Sequence, residues 1–299
     1  MFVIKFRKIF YSISIVILAV ALYGISTYGL KLGIDFKGGS IIEAEYSATP
    51  NIDAVKASLT NIDLGEYSIR PTGETGVILR TRSLSDVERV ALLADLVGGD
   101  TGASIKRFDS VGPILGEELR AKSAKAIFFV ILAIVLFITF AFRGVSKPVS
   151  SWKYGLVAIV ALLHDVIVPT GVFAFLGYYQ GVEIDSLFVT ALLVVLGFSV
   201  HDTIVVFDRT RENLHKNHRE KSKKTFAEIV GISVSQTFAR SINTSLTTLI
   251  ALAVLYVYGP EATQHFSLAL LIGIAAGTYS SIFIGSPLLV TLEKLQKDR

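Results

Sequence analysis

The chain contains no cysteine, which excludes disulfides, thiolate chemistry and cysteine-based metal sites and leaves the redox compartment open. It also lacks any GxGxxG or Walker pattern, so Gly38 and Gly39 read as a bend before a strand rather than as a phosphate loop. No nucleotide motif is present, and energy for mechanical work would have to come from another source. The apolar run that opens the chain has no clear A-x-A cleavage site, which favours a retained helix over a signal peptide. Two connections, residues 178–185 and 258–264, hold neither Lys nor Arg. A connection without positive charge suits the outer side of a membrane.

What is present is hydrophobic sequence. Of the 299 residues 52% are hydrophobic, and the mean hydropathy is +0.58. These values exclude an ordinary soluble domain and point to a polytopic membrane protein. The net charge of +4 is modest, and in such a protein positive charge gathers in cytoplasmic loops, so no nucleic-acid partner is expected. Lys5, Arg7 and Lys8 precede the first apolar run, residues 9–28, and should stay in the cytoplasm. The reading divides the chain into residues 1–30 with the first span, a soluble domain over 31–122, and a membrane region over 123–299.

The soluble domain shows a readable alternation. Strands are predicted over 40–46, 67–70, 76–82 and 103–108, with helices over 52–59 and 85–97. Pro50 and Asn51 open the first helix, and Ser85 with Glu88 forms a capping box at the second. The order βαββαβ predicts a ferredoxin-like α+β domain, placed outside the cytoplasm by the charge of the preceding segment.

Five further spans are predicted over residues 124–142, 154–176, 186–207, 243–257 and 266–290, making six transmembrane helices in all. Arg143, Lys147 and Lys153 lie between the second and third. A basic loop near 208–239 separates the fourth and fifth, and Lys294, Lys297 and Arg299 end the chain. With both termini cytoplasmic, every short loop satisfies the positive-inside bias.

Three polar clusters fall within the spans. His201 and Asp202 sit in the fourth, with Asp202 about 9 Å above Asp208 by helical rise. A carboxylate at mid-helix costs ~2.5 to 3.5 kcal/mol, so such residues usually mark ion or substrate paths. His164 and Asp165 stand near the middle of the third span, where Pro169 cannot donate to the Asp165 carbonyl and should kink the helix. The fifth span opens on Arg240, Asn243, Thr244, Ser245, Thr247 and Thr248. Arg240 and Asp202 are at similar depth and can pair. The sixth span repeats small residues every four positions, Ala269, Gly273, Gly277, Ser281 and Gly285, a ridge for close approach of another helix, in this chain or a partner.

Several segments resemble one known family. GIDFKGGS (33–40), VGPILGEEL (111–119), LLHDV (162–166), GFSVHDTIVVFDRTREN (197–213) and RSINTSLTTL (240–249) resemble the signature segments of the SecF family of protein-export membrane proteins, relatives of the resistance-nodulation-division transporters. The resemblance covers the whole chain in order. It implies a six-helix half of a pseudo-symmetric assembly with SecD in a prokaryotic inner membrane. The resemblance also implies YajC as a candidate partner and makes the assembly accessory to the SecYEG channel. The proton motive force would draw an unfolded preprotein outward. It implies ion coupling at Asp202 and Arg240, with His201, Asp165 and His164 beside them. No cofactor, metal or enzymatic activity is implied, and the only further contact is membrane lipid. The family commonly carries Asn where His201 stands and Tyr where Phe198 stands, so the coupling ion, H⁺ or Na⁺, stays open.

Two other classes share some of these features. A half-size transporter of lipids or small molecules would share the intramembrane carboxylates, but six helices supply only half of a twin-repeat design. An intramembrane aspartyl protease would set Asp165 and Asp202 on one water, but its GxGD motif is absent before Asp202.

Overall fold

The structure, a computed structural model, describes residues 2–59, 63–65, 67–98, 102–143 and 150–297. Lys147 and Arg299, two of the charges used to orient the chain, lie outside the described residues. The chain divides into two compact units, Met1–Lys31 with Lys125–Arg299, and Leu32–Ala124.

The smaller unit holds α3 (Ile34–Lys37), β1 (Gly39–Glu45), α4 (Ile52–Ser58), β2 (Ser68–Thr72), β3 (Gly76–Thr81), α5 (Asp86–Val97) and β4 (Ser104–Val111). The strands form one antiparallel sheet in the order β2-β3-β1-β4. Alternation decides its faces. Ile42 pairs with Leu79 and Ala44 with Val77, all buried, while Ile41 and Glu43 point the other way. Val55 and Leu59 from the α4 end and Leu92 and Leu96 from α5 complete this core. Asn51 caps α4 by accepting from the Asp53 and Ala54 N–H groups, and Ser85 with Glu88 makes the reciprocal capping box of α5. Strand β4 runs to Val111, beyond the expected 108, because it pairs along all of β1 through a register shift at Glu43/Ala44.

Two signature segments of this unit lock together. Gly38 has φ +77°, and a Cβ there would stand 2.8 Å from Pro113 Cα. A Cβ on Gly116 would stand 2.8 Å from the Gly38 nitrogen. The glycine pair is thus a bend held by close backbone approach.

The larger unit is helical. After α1 (Phe2–Lys5) come α2 (Arg7–Tyr28), α6 (Pro113–Ala141), within which the division between the units falls, α7 (Ser151–Gln180), α8 (Ser186–Arg219), α9 (Phe226–Tyr258) and α10 (Glu261–Ser280). A π-helical turn, Ser281–Gly285, joins α10 to α11 (Ser286–Lys297). Among the described residues six spans are long and apolar enough to cross a membrane: α2, α6, α7, α8, α9 and the α10–α11 rod. The expected basic loop near 208–239 is mostly helix. α8 continues to Arg219 and α9 starts at Phe226, each with polar extensions beyond its apolar run, so only residues 220–225 form the turn. The Thr225–Glu228 capping box starts α9 much earlier than residue 243.

The core of this unit gathers where spans converge. Tyr154 stacks on Phe142 at 5.3 Å between centroids, and Phe207 meets it edge-on at 5.2 Å. Helices α2 and α7 touch backbone to backbone at Gly171, where a Cβ would lie 2.4 Å from Ala21 Cβ. The small-residue ridge of α10 faces α8 of the same chain: a Cβ on Gly273 would lie 2.3 Å from Val195 Cγ2, and one on Gly277 2.9 Å from Ser199 Cβ. Ser281 continues this ridge, whereas at Gly285 the nearest atoms to an added Cβ are 3.6 Å or more away, ordinary contact distance.

Candidate functional site

The helical period selects which polar residues turn inward. On α8, Val195, Ser199, Asp202, Val206 and Thr210 form the buried stripe, and His201 is one residue off it and exposed. On α9, Val230, Val234, Thr237, Ser241 and Ser245 form the stripe, and Arg240 is again one residue off and exposed. Asp202 is therefore 3% exposed, while neither His201 nor Arg240 shares its interior.

Asp202 accepts a hydrogen bond from Ser245 Oγ at 3.4 Å. Ser245 in turn accepts from Thr278 Oγ1 of α10 at 2.6 Å. Ser241 is buried against the same carboxylate, and its Oγ meets no partner at hydrogen-bond geometry among the described residues. The expected ion pair of Asp202 with Arg240 is not formed. Arg240 has no ion-pair partner among the described residues, because pairing would require the α9 face to rotate by about one residue, ~100°. Asn243, Thr244 and Thr247 are exposed with it, so the polar row that opens the fifth span faces out of this chain.

Asp165 is fully enclosed, with 0% exposure. His164 Nδ1 lies 2.9 Å from its Oδ1. Ser199 Oγ from α8 and Ser280 Oγ from α10 both donate to Oδ2, at 2.5 and 2.9 Å. Three polar neighbours around one carboxylate leave it no room for lipid or bulk water. His164 is also buried; its ring lies 6.0 Å from that of Tyr279, and its Nε2 has no hydrogen-bond partner among the described residues. The Tyr279 hydroxyl donates to the Phe10 carbonyl at 2.9 Å, which ties this cluster to the first span. α7 runs through Pro169 without interruption.

The two carboxylates keep separate partners, yet both are reached from one turn of α10: Thr278 toward Asp202 through Ser245, and Ser280 directly to Asp165. Ser281 binds the Ser199 carbonyl at 3.2 Å and Thr203 Oγ1 at 2.9 Å, so its role exceeds the packing assigned to it from the sequence. Ser199, Thr203, Thr278 and Ser280 were missed by sequence reasoning. Their signal was small hydroxyl residues interrupting apolar runs, a weak one because such residues also serve packing. Among the described residues no group of three His, Cys, Asp or Glu is assembled for a metal.

Two buried carboxylates lined by hydroxyls thus stand inside a chain with six candidate membrane spans, and comparison with known proteins gives its family. Residues 94–295 match the family model described as protein export membrane protein SecD/SecF, C-terminal, and residues 23–50 match the SecD/SecF GG motif. The chain belongs to the SecD/SecF family. A protein translocase subunit SecF from Thermobaculum terrenum is 43% identical over 97% of this chain and 93% of its own length. The Vibrio alginolyticus protein translocase subunit SecF is 34% identical over 96% and 88%. Among solved structures, that of SecDF from Thermus thermophilus, described as a translocon-associated membrane protein, aligns with a TM-score of 0.81 at 29% identity. The match covers 99% of this chain and 38% of that one, so the chain spans well under half of the longer SecDF polypeptide. Within the SecD/SecF family, the GG motif coincides with the Gly38–Gly39 bend locked against Pro113 and Gly116.

Proposed function

We propose that the chain is the SecF-type half of a heteromeric translocase that uses the proton motive force to draw an unfolded preprotein across a prokaryotic cell membrane. The observation that carries the reading is the division of polar residues on the fourth and fifth spans. Asp202 is buried, while His201, Arg240, Asn243, Thr244 and Thr247 face outward on the same two helices. Hydrocarbon does not solvate such a row, so a second membrane subunit is needed to cover it. The SecD half of SecDF is the natural occupant, with SecYEG as the channel served and YajC as an accessory. Both termini would be cytoplasmic, and residues 31–122 would form a ferredoxin-like extracytoplasmic domain, a reading that the strand order β2-β3-β1-β4 with intervening α4 and α5 supports.

In this mechanism Asp202 alternates between ionised and protonated states, with Asp165 and His164 as a second station and Arg240 acting at the partner's surface. One elementary charge crossing 100 mV supplies ~2.3 kcal/mol, enough to bias a two-state packing equilibrium about fiftyfold. No catalytic step is assigned.

The test is export of a secreted reporter in cells depleted of their own subunit. Asp202→Asn should accumulate normally in the membrane and co-purify with the partner, yet lose gradient-dependent stimulation. Export restored to the wild-type level would transfer the role to another residue.

A further inference from the structure

The hydroxyls of Thr278 and Ser280 share an unusual arrangement. Each has two acceptors in reach, one toward a carboxylate and one on its own helix. Ser280 Oγ reaches Asp165 Oδ2 at 2.9 Å and the Gly277 carbonyl at 3.1 Å. Thr278 Oγ1 reaches Ser245 Oγ, the donor to Asp202, at 2.6 Å and the Ile274 carbonyl at 2.8 Å. A hydroxyl carries one proton and fully donates in one direction at a time. An ionised carboxylate can only accept, and so draws these donors toward itself; a protonated one is a weaker acceptor that brings its own O–H, which shifts the balance toward the helix carbonyls.

We infer that Thr278 and Ser280 are positioning residues through which one turn of the sixth span reads the protonation of both carboxylates. The inference rests on the gradient-coupling role proposed above and names the element that responds. The two residues are followed directly by the π-helical turn Ser281–Gly285, and the Ser281 carbonyl accepts from Ser286 Oγ at 3.1 Å. Single-turn π segments are places where helix register changes at small cost, and back-bonding by Ser and Thr bends the turn that accepts it. Switching two hydroxyls onto the Ile274 and Gly277 carbonyls therefore alters the helix immediately before its π-helical turn. Among the described residues the titratable neighbours are few: His164 and, beyond it, Tyr279 at Asp165, and His201 at Asp202. Apart from His201, the groups that α8 and α9 present to the two sites among the described residues are the hydroxyls of Ser199, Ser241 and Ser245.

The experiment is infrared difference spectroscopy of the purified full chain in lipid nanodiscs across a pH series, following carboxylic-acid C=O bands assigned by their loss in Asp165→Asn and Asp202→Asn. Ser280→Ala removes a donor to ionised Asp165. Its acid band should then appear at a proton concentration about tenfold lower than in wild type, the size of effect expected for one hydrogen bond to a charged acceptor. Ser280→Thr, which keeps the hydroxyl, should return the band to the wild-type midpoint. Thr278→Val should move the Asp202 band in the same direction by a smaller factor, since it acts through Ser245. Wild-type midpoints in both Ser280→Ala and Thr278→Val would overturn the inference while leaving gradient coupling standing. Absence of any acid band assignable to either aspartate would overturn both. If Ser280→Ala does not accumulate, the Thr278→Val midpoint decides alone.

Discussion

Gly277 of α10 lies so close to Ser199 of α8 that a Cβ on the glycine would stand 2.9 Å from the serine Cβ. The same serine donates to Asp165. Packing and charge placement therefore depend on one helix contact.

Gly277→Leu should be poorly tolerated, because the leucine must displace Ser199 and with it a donor to Asp165. Overpacking of this kind costs about 1–3 kcal/mol, and a buried carboxylate losing a donor adds to it. The measurement is the amount of monodisperse protein recovered from membranes and its melting temperature in detergent. A yield and melting temperature equal to wild type would mean that the two spans can separate freely at this point.

Topology can be read with thiols placed in a chain that has none. Ser104→Cys, in β4, should react with an impermeant reagent in intact cells, and Ser222→Cys, in the turn after α8, should not. The reverse pattern would invert the proposed orientation.

Glu88 offers a pH dependence outside the membrane. Its carboxyl is held down to about 2, first by the Arg82 guanidinium and then by the Ser85 backbone N–H and hydroxyl. A carboxyl depressed in the folded state contributes stability above its unfolded value, ~4.3, and loses it as pH falls toward 2. Hydrogen exchange in α5, corrected for intrinsic rates, should therefore increase between about pH 4 and 2. In Glu88→Gln that added pH dependence should vanish and the helix should exchange faster at neutral pH. An unchanged profile in the variant would remove Glu88 from the account.

Gly38→Ala should destabilise the smaller unit. The position has φ +77°, a region that costs a non-glycine residue about 1–2 kcal/mol, and the new methyl would meet Pro113 Cα at 2.8 Å. Protease resistance of residues 32–124 in the full chain is the measurement, with Gly73→Ala as a comparison, since that glycine has a similar φ but no neighbouring atom within 4 Å.

Much of this was legible in the sequence, for identifiable reasons. Long apolar runs and strict alternation are dictated by solvent, so the spans, β1 and β3 emerged from pattern alone. Asp165 and Asp202 were conspicuous because charge in hydrocarbon is costly. What pattern could not supply was rotational phase. Arg240 and Ser241 are both polar neighbours in a polar stretch, and only packing of α9 on its neighbours decides that the serine turns inward and the arginine outward. Nor could spacing reveal that the donors to Asp165 come from 34 and 115 residues away, since serine in an apolar helix is equally a packing residue. The basic stretch after Asp208 reads as a solvated loop with an amphipathic entry helix, because its polarity ends the apolar run, whereas polar residues sustain a helix once its apolar end is anchored.

That helical continuation has a mechanical meaning. The twelve residues from Asp208 to Arg219 extend α8 by ~18 Å past its apolar run without a break. A continuous helix is stiff over this length, so α8 works as a pointer whose pivot lies in the lipid. If its inner part leans by ten degrees around Asp202, the tip near Glu220 sweeps sideways by about 5 Å, by the same helical rise. A spin label at the tip would thus report, from water, a displacement that begins beside a carboxylate no solvent probe can touch.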